Sequence, residues 1–468
     1  MTDIITMKTQ LRKVLMISYY FPPIAATGAM RSLNFCRHLP SYGWNPTVLA
    51  TDHPSALPPQ AVDQHLLNRI PARTEVVRVA HGNPLGRLLA FRSRLKQIIR
   101  TKAGTASLLS TGGPAMNQSA GKCKSMGGVR RLVLDAVLAF PDPQYRWYKP
   151  AVRTMSIRSE VQRPEVIWAT GGPWTSLLVG RHLAQRWMVP FVADFRDPWV
   201  GGHEFFSSKL LHRRAARLER AVCEVANRVV LNTEELRARF CSEYPQWQHK
   251  FVAITNGYPE IATGGLTEKR SAAAIVRNGN SMLELRHFGT VYGNRSPLAL
   301  LRAIHELIAE GVLDQTRFTL WFVGVWDVED SDCNHLAKLL EESGILKRTP
   351  SMPHQQCLQE MARSDVLLIL QPDYPLQIPA KMYEYIIAGR PIFVVGGEGA
   401  TANLVHRHRL GLCCPNRVQE AKRALRELMH DRTRLVPPNP ADTEQFSYSL
   451  LSKRLADLFD EIVQSRPR

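Results

Sequence analysis

Short apolar runs alternate with longer amphipathic segments through the first half of the chain. The runs that predict strands in this half are residues 14–21, 46–51, 165–170, 190–195, 227–233 and 251–257. Hydrophobic residues at helical spacing predict helices between them, over 31–42, 175–187 and 209–226. Alternating strands and helices are typical of a parallel sheet covered by helices. The first half is therefore expected to form one α/β domain.

The same alternation restarts in the second half, after a polar stretch of small residues at 263–280. The predicted strands here are 283–290, 317–324, 366–372 and 391–397, and the predicted helices are 297–310, 380–388 and 449–464. Two such units predict two Rossmann-like, doubly wound parallel sheets facing a cleft, with ligands at the carboxyl ends of the strands. The expected division is a first domain at 1–265, a linker at 266–280, a second domain at 281–440 and a C-terminal helix at 441–468.

Composition narrows the class of partner. With 468 residues, 44% hydrophobic and 22% charged, the chain is globular in composition and long enough for two cores. Its net charge of +19 favours a polyanionic partner: nucleic acid, an anionic membrane or phosphorylated small molecules. The eight cysteines are scattered without a C-x-x-C pair, which argues against a disulfide framework or zinc site and favours reduced, cytosolic thiols. No segment offers about 18 uninterrupted apolar residues, so no membrane span is expected.

Two loops of the first domain carry candidate chemistry. The loop 21–28 follows the first predicted strand, and Gly28 would let phosphate or sugar oxygens approach the N-terminus of the next helix. A loop with Pro and Gly is also common as a plain connection between a strand and a helix. The segment ADFRDPW places Asp197 just after a strand, as a base or positioning carboxylate; a helix cap with an Arg–Asp pair is the alternative.

Two loops of the second domain carry further candidates. The segment HFGTVYGNRSP sets Gly289 in a turn after a strand and Arg295 just before a helix, where paired N–H groups suit a diphosphate. A solvent-exposed loop arginine is the alternative. In QIPAKMYEYIIAGRPI, Lys381 and Glu384 lie three apart on one helix face, with Tyr385 next to them. A surface ion pair between Lys381 and Glu384 is the alternative there.

Taken in order, five segments resemble glycosyltransferase family 4, whose members have the two-domain GT-B fold. The segments are ISYYFPP, TGGPWTS, DFRDPW, FGTVYGNRSP and IPAKMYEYIIAGRPI, and the resemblance extends from about Lys13 to Val463. It implies transfer of a sugar from a nucleotide-sugar donor, with the anomeric configuration retained and without a metal ion. It also implies a donor site in the second domain, an acceptor site in the first, and a last helix that crosses back to the first domain.

The resemblance implies a set of site residues as well. A UDP- or GDP-linked sugar, with no further cofactor, would be bound by Gly28, Gly289, Arg295, Lys381, Glu384 and Tyr385. Glu384 resembles the second Glu of the family's E-x7-E motif, which holds the ribose hydroxyls, whereas Leu376 stands where the first Glu would be. The expected catalytic residues are Asp197, Arg295 and Lys381, and electrostatic stabilisation of the leaving diphosphate is the expected main effect.

A basic segment precedes the third predicted strand of the first half. Residues 86–131 contain ten Lys or Arg and no Asp or Glu, and apolar residues interleave with the first cations. This pattern favours an amphipathic surface on an anionic membrane, and the expected lipid contacts are Arg87, Arg92, Arg94 and Lys96. A solvated helix face is the alternative, and no nucleic-acid-binding module is recognisable.

These inferences combine into one functional hypothesis. The chain would be a cytoplasmic enzyme, peripheral at the inner face of the plasma membrane, acting in surface-polysaccharide synthesis. Its acceptor would be a glycan or a polyprenyl-linked glycan of an exopolysaccharide, capsule or lipopolysaccharide. The alternatives are a nucleotide-sugar 2-epimerase-like enzyme and a non-catalytic scaffold on the same fold.

Overall fold

The computed structural model describes residues 11–52, 62–82, 140–158, 163–201, 208–259, 282–293, 295–372 and 374–465. The predicted linker at 266–280 lies outside these ranges. So do the predicted lipid contacts Arg87, Arg92, Arg94 and Lys96. Both remain predictions.

Seven parallel strands form the first sheet. They are β1 (Arg12–Ile17), β2 (Trp44–Thr51), β3 (Glu75–Val79), β4 (Val166–Thr170), β5 (Phe191–Phe195), β6 (Arg228–Leu231) and β7 (Phe251–Ala253). Their order in the sheet is β3-β2-β1-β4-β5-β6-β7. The order reverses between β1 and β4, and such a reversal opens a crevice at the carboxyl ends of the two strands.

Helices cover both faces of this sheet. They are α1 (Thr27–His38), α2 (Tyr148–Arg158), α3 (Thr175–Trp187), α4 (Lys209–Val225) and α5 (Glu234–Glu243). Helices α2 to α5 share one hydrophobic core with the sheet, and α1 lies in a second core on the other face. β4 and β5 are buried at every position, because both of their faces are covered.

The second sheet repeats this architecture. Its part of the chain contains the strands β8 (Leu283–Phe288), β9 (Val291–Tyr292), β10 (Phe318–Val323), β11 (Trp326–Asp327), β12 (Leu346–Thr349), β13 (Val366–Gln371), β14 (Ile392–Gly396) and β15 (Gly411–Cys414). Six of them form a parallel sheet of order β12-β10-β8-β13-β14-β15, and β9 pairs with β11 beside it. The order reverses between β8 and β13, so a second crevice lies at their carboxyl ends.

The helices of the second half complete the fold. They are α6 (Leu298–Ala309), α7 (Ser331–Glu342), α8 (His354–Arg363), α9 (Lys381–Ala388), α10 (Ala400–Arg407), α11 (Val418–His430), α12 (Pro440–Thr443) and α13 (Tyr448–Gln464). Short 3₁₀ segments occupy Leu39–Tyr42, Gln64–Arg69, Tyr145–Trp147, Pro245–Lys250, Arg432–Arg434 and Glu444–Phe446. Within the described ranges, no helix is both long and apolar enough to cross a bilayer.

The last helix, α13, packs against the first sheet rather than the second. Its apolar face shares a core with β1, β2 and α1. The ring of Phe459 meets that of Trp44 edge-on at 5.2 Å, and the indole N–H of Trp44 donates to Asp460 at 2.9 Å. The chain therefore returns to the first domain at its end.

The element boundaries differ from the sequence pattern in one place that matters. The predicted first strand runs to Phe21, but β1 ends at Ile17. The N–H of Ser18 still donates to the carbonyl of Leu49 at 3.0 Å and the carbonyl of Tyr19 still accepts from Thr51 at 3.0 Å, so the chain leaves the sheet after Tyr19. The Ser18 hydroxyl holds this turn, with bonds to the carbonyl of Tyr20 at 2.8 Å and to the Ser32 hydroxyl at 2.7 Å. The pattern also missed the edge strands β3 and β12, because only part of each is buried.

Candidate active site

The carboxyl ends of the two sheets meet across a cleft. The side-chain amide of Gln377, just before α9, donates to Asp197 at 2.8 Å, just after β5. The Thr233 hydroxyl donates to the carbonyl of Leu376 at 2.9 Å. Leu376 stands where the first Glu of the E-x7-E motif would be, and its side chain packs against the core of the first domain. This position therefore serves as a contact between the domains.

A buried ion pair forms the floor of the cleft in the first domain. Arg31, on α1, donates two hydrogen bonds to Asp194, at 2.7 and 3.0 Å, and both side chains are at most 1% exposed. Asp194 also accepts a hydrogen bond from Thr170 at 2.7 Å. Arg31 gives its other N–H groups to the carbonyls of Ile254 and Thr255. This pair ties α1 to the ends of β4, β5 and β7, and its charges are neutralised there.

Arg196 lies above this floor, over Gly28. Its guanidinium donates to the carbonyls of Gly171, at 2.8 Å, and Gly172. A Cβ on Gly28 would overlap the guanidinium, and one on Gly172 would come within 2.9 Å of it. The space expected to admit donor oxygens at Gly28 is therefore filled by a side chain of this protein, which differs from the sequence expectation.

Asp197 is a half-buried carboxylate at the meeting point of the domains. Burial raises its pKa above the ordinary value, and the Arg196 charge and the Gln377 hydrogen bond act in the opposite direction. Arg295, from the second domain, is close enough to lower it further. The structure thus brings Asp197 and Arg295 to one cleft.

Lys381 begins α9 and points at the end of β8. Its Nζ lies 3.1 Å from Nε2 of the fully buried His287, whose Nδ1 is 2.9 Å from the carbonyl of Leu368. Burial and the charge of Arg295 lower the pKa of Lys381 to about 7. Gly289 adopts a left-handed backbone at φ +111°, and a Cβ there would come within 3.0 Å of the ammonium.

Arg295 is held by aromatic rings rather than by acids. Its guanidinium carbon lies 5.4 Å from the centroid of Tyr292 and 5.3 Å from that of Tyr374. Its Nε is buried, and no hydrogen-bond acceptor for it occurs in the described part of the chain. In the described part of the chain, no carboxylate lies within 4.0 Å of the Arg295 guanidinium, although its charge acts on Asp197.

Glu384 and Tyr385 have different environments although they are neighbours on α9. The Glu384 carboxylate pairs with His354 Nε2 at 2.9 Å, not with Lys381. The Tyr385 hydroxyl accepts the N–H of Phe288 at 2.9 Å inside the core and is fully buried. Tyr385 therefore fixes the end of β8 and does not face a ligand, contrary to its expected donor-binding role.

Sequence reasoning missed three side chains of this cleft. The sequence pattern gives Arg196 only the alternative of an Arg–Asp pair, places Gln377 only at the start of a segment, and places His287 only within a predicted strand. A signal existed for His287, because a histidine within a buried strand needs a polar partner. In the described ranges, no three His, Cys, Asp or Glu side chains are grouped so as to hold a metal ion.

No protein-family model matches the chain, and a search of curated proteins finds no match. Solved structures do resemble it. Sucrose-phosphate synthase from Thermosynechococcus elongatus superposes with a TM-score of 0.61 at 13% identity, covering 97% of this chain and 100% of that one. A glycosyltransferase from Rickettsia africae gives 0.55 at 10% identity, covering 97% and 100%. The Anabaena protein HepE in complex with UDP gives 0.54 at 14% identity, covering 97% and 98%.

These likenesses establish the fold. Two parallel-sheet α/β domains of seven and six strands, with glycosyltransferases among the similar structures, confirm the predicted GT-B architecture. Each of these three structures covers nearly the whole of this chain, so the likeness in fold extends over both domains.

Proposed function

We propose that this protein is a retaining, metal-independent glycosyltransferase of the family 4 type, which moves a sugar from a UDP- or GDP-linked donor to a glycan or lipid-linked acceptor. One observation carries the proposal. Lys381 and Arg295 converge at the carboxyl edge of the second sheet, without a carboxylate partner among the described residues. Two cations at such an edge, with no carboxylate within ion-pair distance in the described part of the chain, fit an anion with two charges, such as a nucleoside diphosphate.

The chemistry of sugar transfer suits this arrangement. As the bond between the anomeric carbon and the diphosphate breaks, negative charge grows on the leaving oxygen. Cations already oriented toward that oxygen stabilise the transition state more than the ground state. Arg295 would supply a planar fork of N–H groups and Lys381 a point charge. The acceptor hydroxyl forms the new bond to the anomeric carbon, and its proton passes to the leaving diphosphate.

Other parts of the donor are assigned by position. Glu384 lies one turn into α9 from Lys381 and is the proposed partner of the ribose hydroxyls. Gly289 leaves room beside the ammonium for a phosphate oxygen. Asp197 projects from the first domain toward the reacting centre, and we assign it no proton transfer. The complex of UDP with HepE, which has the same fold, supports the choice of a nucleoside diphosphate.

The charge of the chain supports the proposed acceptor and the proposed location at a membrane. The net charge of +19 and the acid-free segment 86–131 support a lipid-linked acceptor at an anionic membrane surface. A role in surface-polysaccharide synthesis follows from the resemblance of the motifs.

A thermal-shift panel of nucleotides and nucleotide sugars, run with a metal chelator, tests the proposal. A ligand that binds only the folded state raises the melting temperature. We expect one class of nucleoside diphosphate to stabilise the native protein and to lose this effect in Glu384→Ala. If no nucleotide stabilises the native protein, the scaffold alternative replaces the proposal. If the stabilising nucleotide sugar is epimerised without an acceptor, the epimerase alternative replaces it.

A further inference from the structure

The guanidinium of Arg196 occupies a pocket that two glycines make possible. Backbone atoms of Gly28 and Gly172 line it, and a side chain at Gly28 would collide with three guanidinium atoms. Gly28 lies in the first turn of α1 with no positive φ, so its backbone does not demand glycine. The space that Gly28 leaves is therefore used by Arg196, not by a turn of the chain.

The charge of Arg196 is not neutralised by the groups that hold it. Its Nε and one terminal nitrogen donate to the carbonyls of Gly171 and Gly172, which carry no net charge. The nearest acid of the floor, Asp194, is already occupied by Arg31 and Thr170. Within the described ranges, no carboxylate lies within 4.0 Å of the Arg196 guanidinium. The charge of the adjacent Asp197 also acts on Arg196, but a half-buried guanidinium whose hydrogen-bond partners are all neutral still favours a bound anion.

The remaining nitrogen of the guanidinium, Nη1, lies directly over Gly28. The first turn of α1 carries no acid, so the helix end adds to the positive potential there. Across the cleft, Arg295 acts on Asp197, the residue that follows Arg196. Arg196 and Arg295 therefore approach the same region of the cleft, Arg196 from the first domain and Arg295 from the second.

We propose that Arg196 is a phosphate-binding residue of the first domain, and that Gly28 and Gly172 serve to seat its guanidinium. This inference rests on the proposed function and adds a contact from the opposite wall of the cleft. The phosphate belongs either to the donor diphosphate or to a phosphorylated acceptor, and both present the same chemistry to the guanidinium. A bound phosphate would link the two domains through Arg196 and Arg295.

Two substitutions remove this contact by different routes. Arg196→Gln deletes the charge, whereas Gly28→Ala keeps the charge and displaces the guanidinium. Alanine is compatible with the helical backbone at Gly28, so Gly28→Ala perturbs the fold little except at Arg196. Arg217→Gln removes an exposed arginine of α4 outside the cleft and is the matched control for net charge. Melting temperatures without ligand show that each variant is folded.

Calorimetric titration with inorganic pyrophosphate is the first arm, because pyrophosphate does not depend on the identity of the nucleobase. If the phosphate is the donor's, the dissociation constant rises at least tenfold in Arg196→Gln and Gly28→Ala and is unchanged in Arg217→Gln. The second arm titrates glucose 6-phosphate into protein saturated with pyrophosphate. If the phosphate is the acceptor's, only this second affinity falls in the two variants.

The inference is overturned if both affinities in the two variants equal those of Arg217→Gln. Its failure is distinct from failure of the proposed function. A native protein that binds pyrophosphate through Arg196 but turns over no nucleotide sugar would retain the inference and reject the transferase. If the native protein and Arg196→Gln turn over a nucleotide sugar equally well and have equal affinities for both phosphates, the transferase proposal stands and the inference is rejected.

Discussion

The Nζ of Lys381 donates a hydrogen bond to Nε2 of His287 at 3.1 Å. The other ring nitrogen of His287 lies 2.9 Å from a backbone carbonyl, which can only accept, so Nδ1 carries the proton and Nε2 offers its lone pair. Burial and the Lys381 charge hold the pKa of His287 well below its usual range. The ammonium is thus oriented by a neutral acceptor, which leaves its charge available to a ligand.

The affinity of the donor site for an anion should depend on pH through Lys381. The pKa of this ammonium is about 7 in the free protein, and a bound diphosphate raises it because an opposite charge favours the charged form. Binding therefore weakens as pH rises above 7, by up to about tenfold per pH unit for this one proton. Calorimetry with UDP between pH 7 and 9 measures the slope.

Lys381→Met is the control for that slope. This variant should bind UDP weakly, because it lacks the positive charge. Its affinity should not change with pH in this range, since no proton is taken up at position 381. An equal slope in the native protein and in Lys381→Met would contradict the assignment of Lys381 to the phosphates.

Glu384 should contribute to donor binding although it is paired with His354. Glu384→Ala is expected to weaken nucleotide binding by about 1.5–3 kcal/mol, the range for hydrogen bonds to charged groups. His354 contacts the carboxylate from α8 and is more exposed than Glu384. His354→Ala therefore frees one carboxylate oxygen without removing the ribose partner and should not weaken binding. Calorimetry on the two variants compares them, and unchanged affinity in Glu384→Ala would exclude the ribose assignment.

The ion pair between Arg31 and Asp194 should be important for stability rather than for substrate binding. Arg31→Met leaves the Asp194 carboxylate buried without its counterion, and breaking such a pair costs about 3–5 kcal/mol. The double variant Arg31→Met/Asp194→Leu removes both charges and should recover much of the loss. Chemical denaturation measures each free energy of unfolding. A double variant that is as unstable as the sum of the single variants would contradict this coupling.

Glu219 should make stability depend on pH. Its carboxyl is fully buried, accepts the N–H of Val200 and the hydroxyl of Tyr244, and has a pKa raised to about 7, chiefly by burial. The folded state then binds more protons than the unfolded state between about pH 4.5 and 7, so stability falls as pH rises through this window. The shift corresponds to roughly 3 kcal/mol.

Glu219→Gln should remove this part of the pH dependence, since the glutamine oxygen can accept from Val200 and its N–H can donate to the Tyr244 oxygen without a charge. The exposed Glu224→Gln, on the same helix α4, is the matched control and should leave the slope unchanged. Urea denaturation at pH 5 and pH 8 gives the comparison. If Glu219→Gln keeps the native slope, another group is responsible.

Membrane binding should depend on a local segment rather than on total charge. Neutralising Arg87, Arg92, Arg94 and Lys96 is expected to release the protein from anionic vesicles, since each cation near the surface contributes about 1 kcal/mol. The same number of exposed cations on α4 provides a charge-matched control variant: Lys209, Arg213, Arg217 and Arg220. Flotation with anionic and neutral vesicles measures both. If the two variants lose vesicle binding equally, the protein binds anionic membranes through its net charge alone.

The loops that end strands were predictable, because local pattern determines them. The ends of β5 and β8 and the start of α9 fall in the quoted segments, so Asp197, Gly289 and Lys381 come to the cleft where the strand order indicates. The role of Tyr385 was not predictable in this way. The Tyr385 hydroxyl bonds the end of β8, whereas the neighbouring Glu384 is only half-buried. The packing of α9 against the second sheet decides which of these two side chains faces the core.

The sequence by itself determined the alternation of strands and helices, the two parallel sheets and the loops in which polar residues gather. These depend on hydrophobic periodicity and on turn residues, which act over a few neighbouring positions. Only the tertiary structure decided which partner each polar side chain has: Arg196 over Gly28, His354 on Glu384, His287 beneath Lys381. These contacts join residues far apart in the chain, and the packing of whole elements, not local pattern, brings them within hydrogen-bond distance.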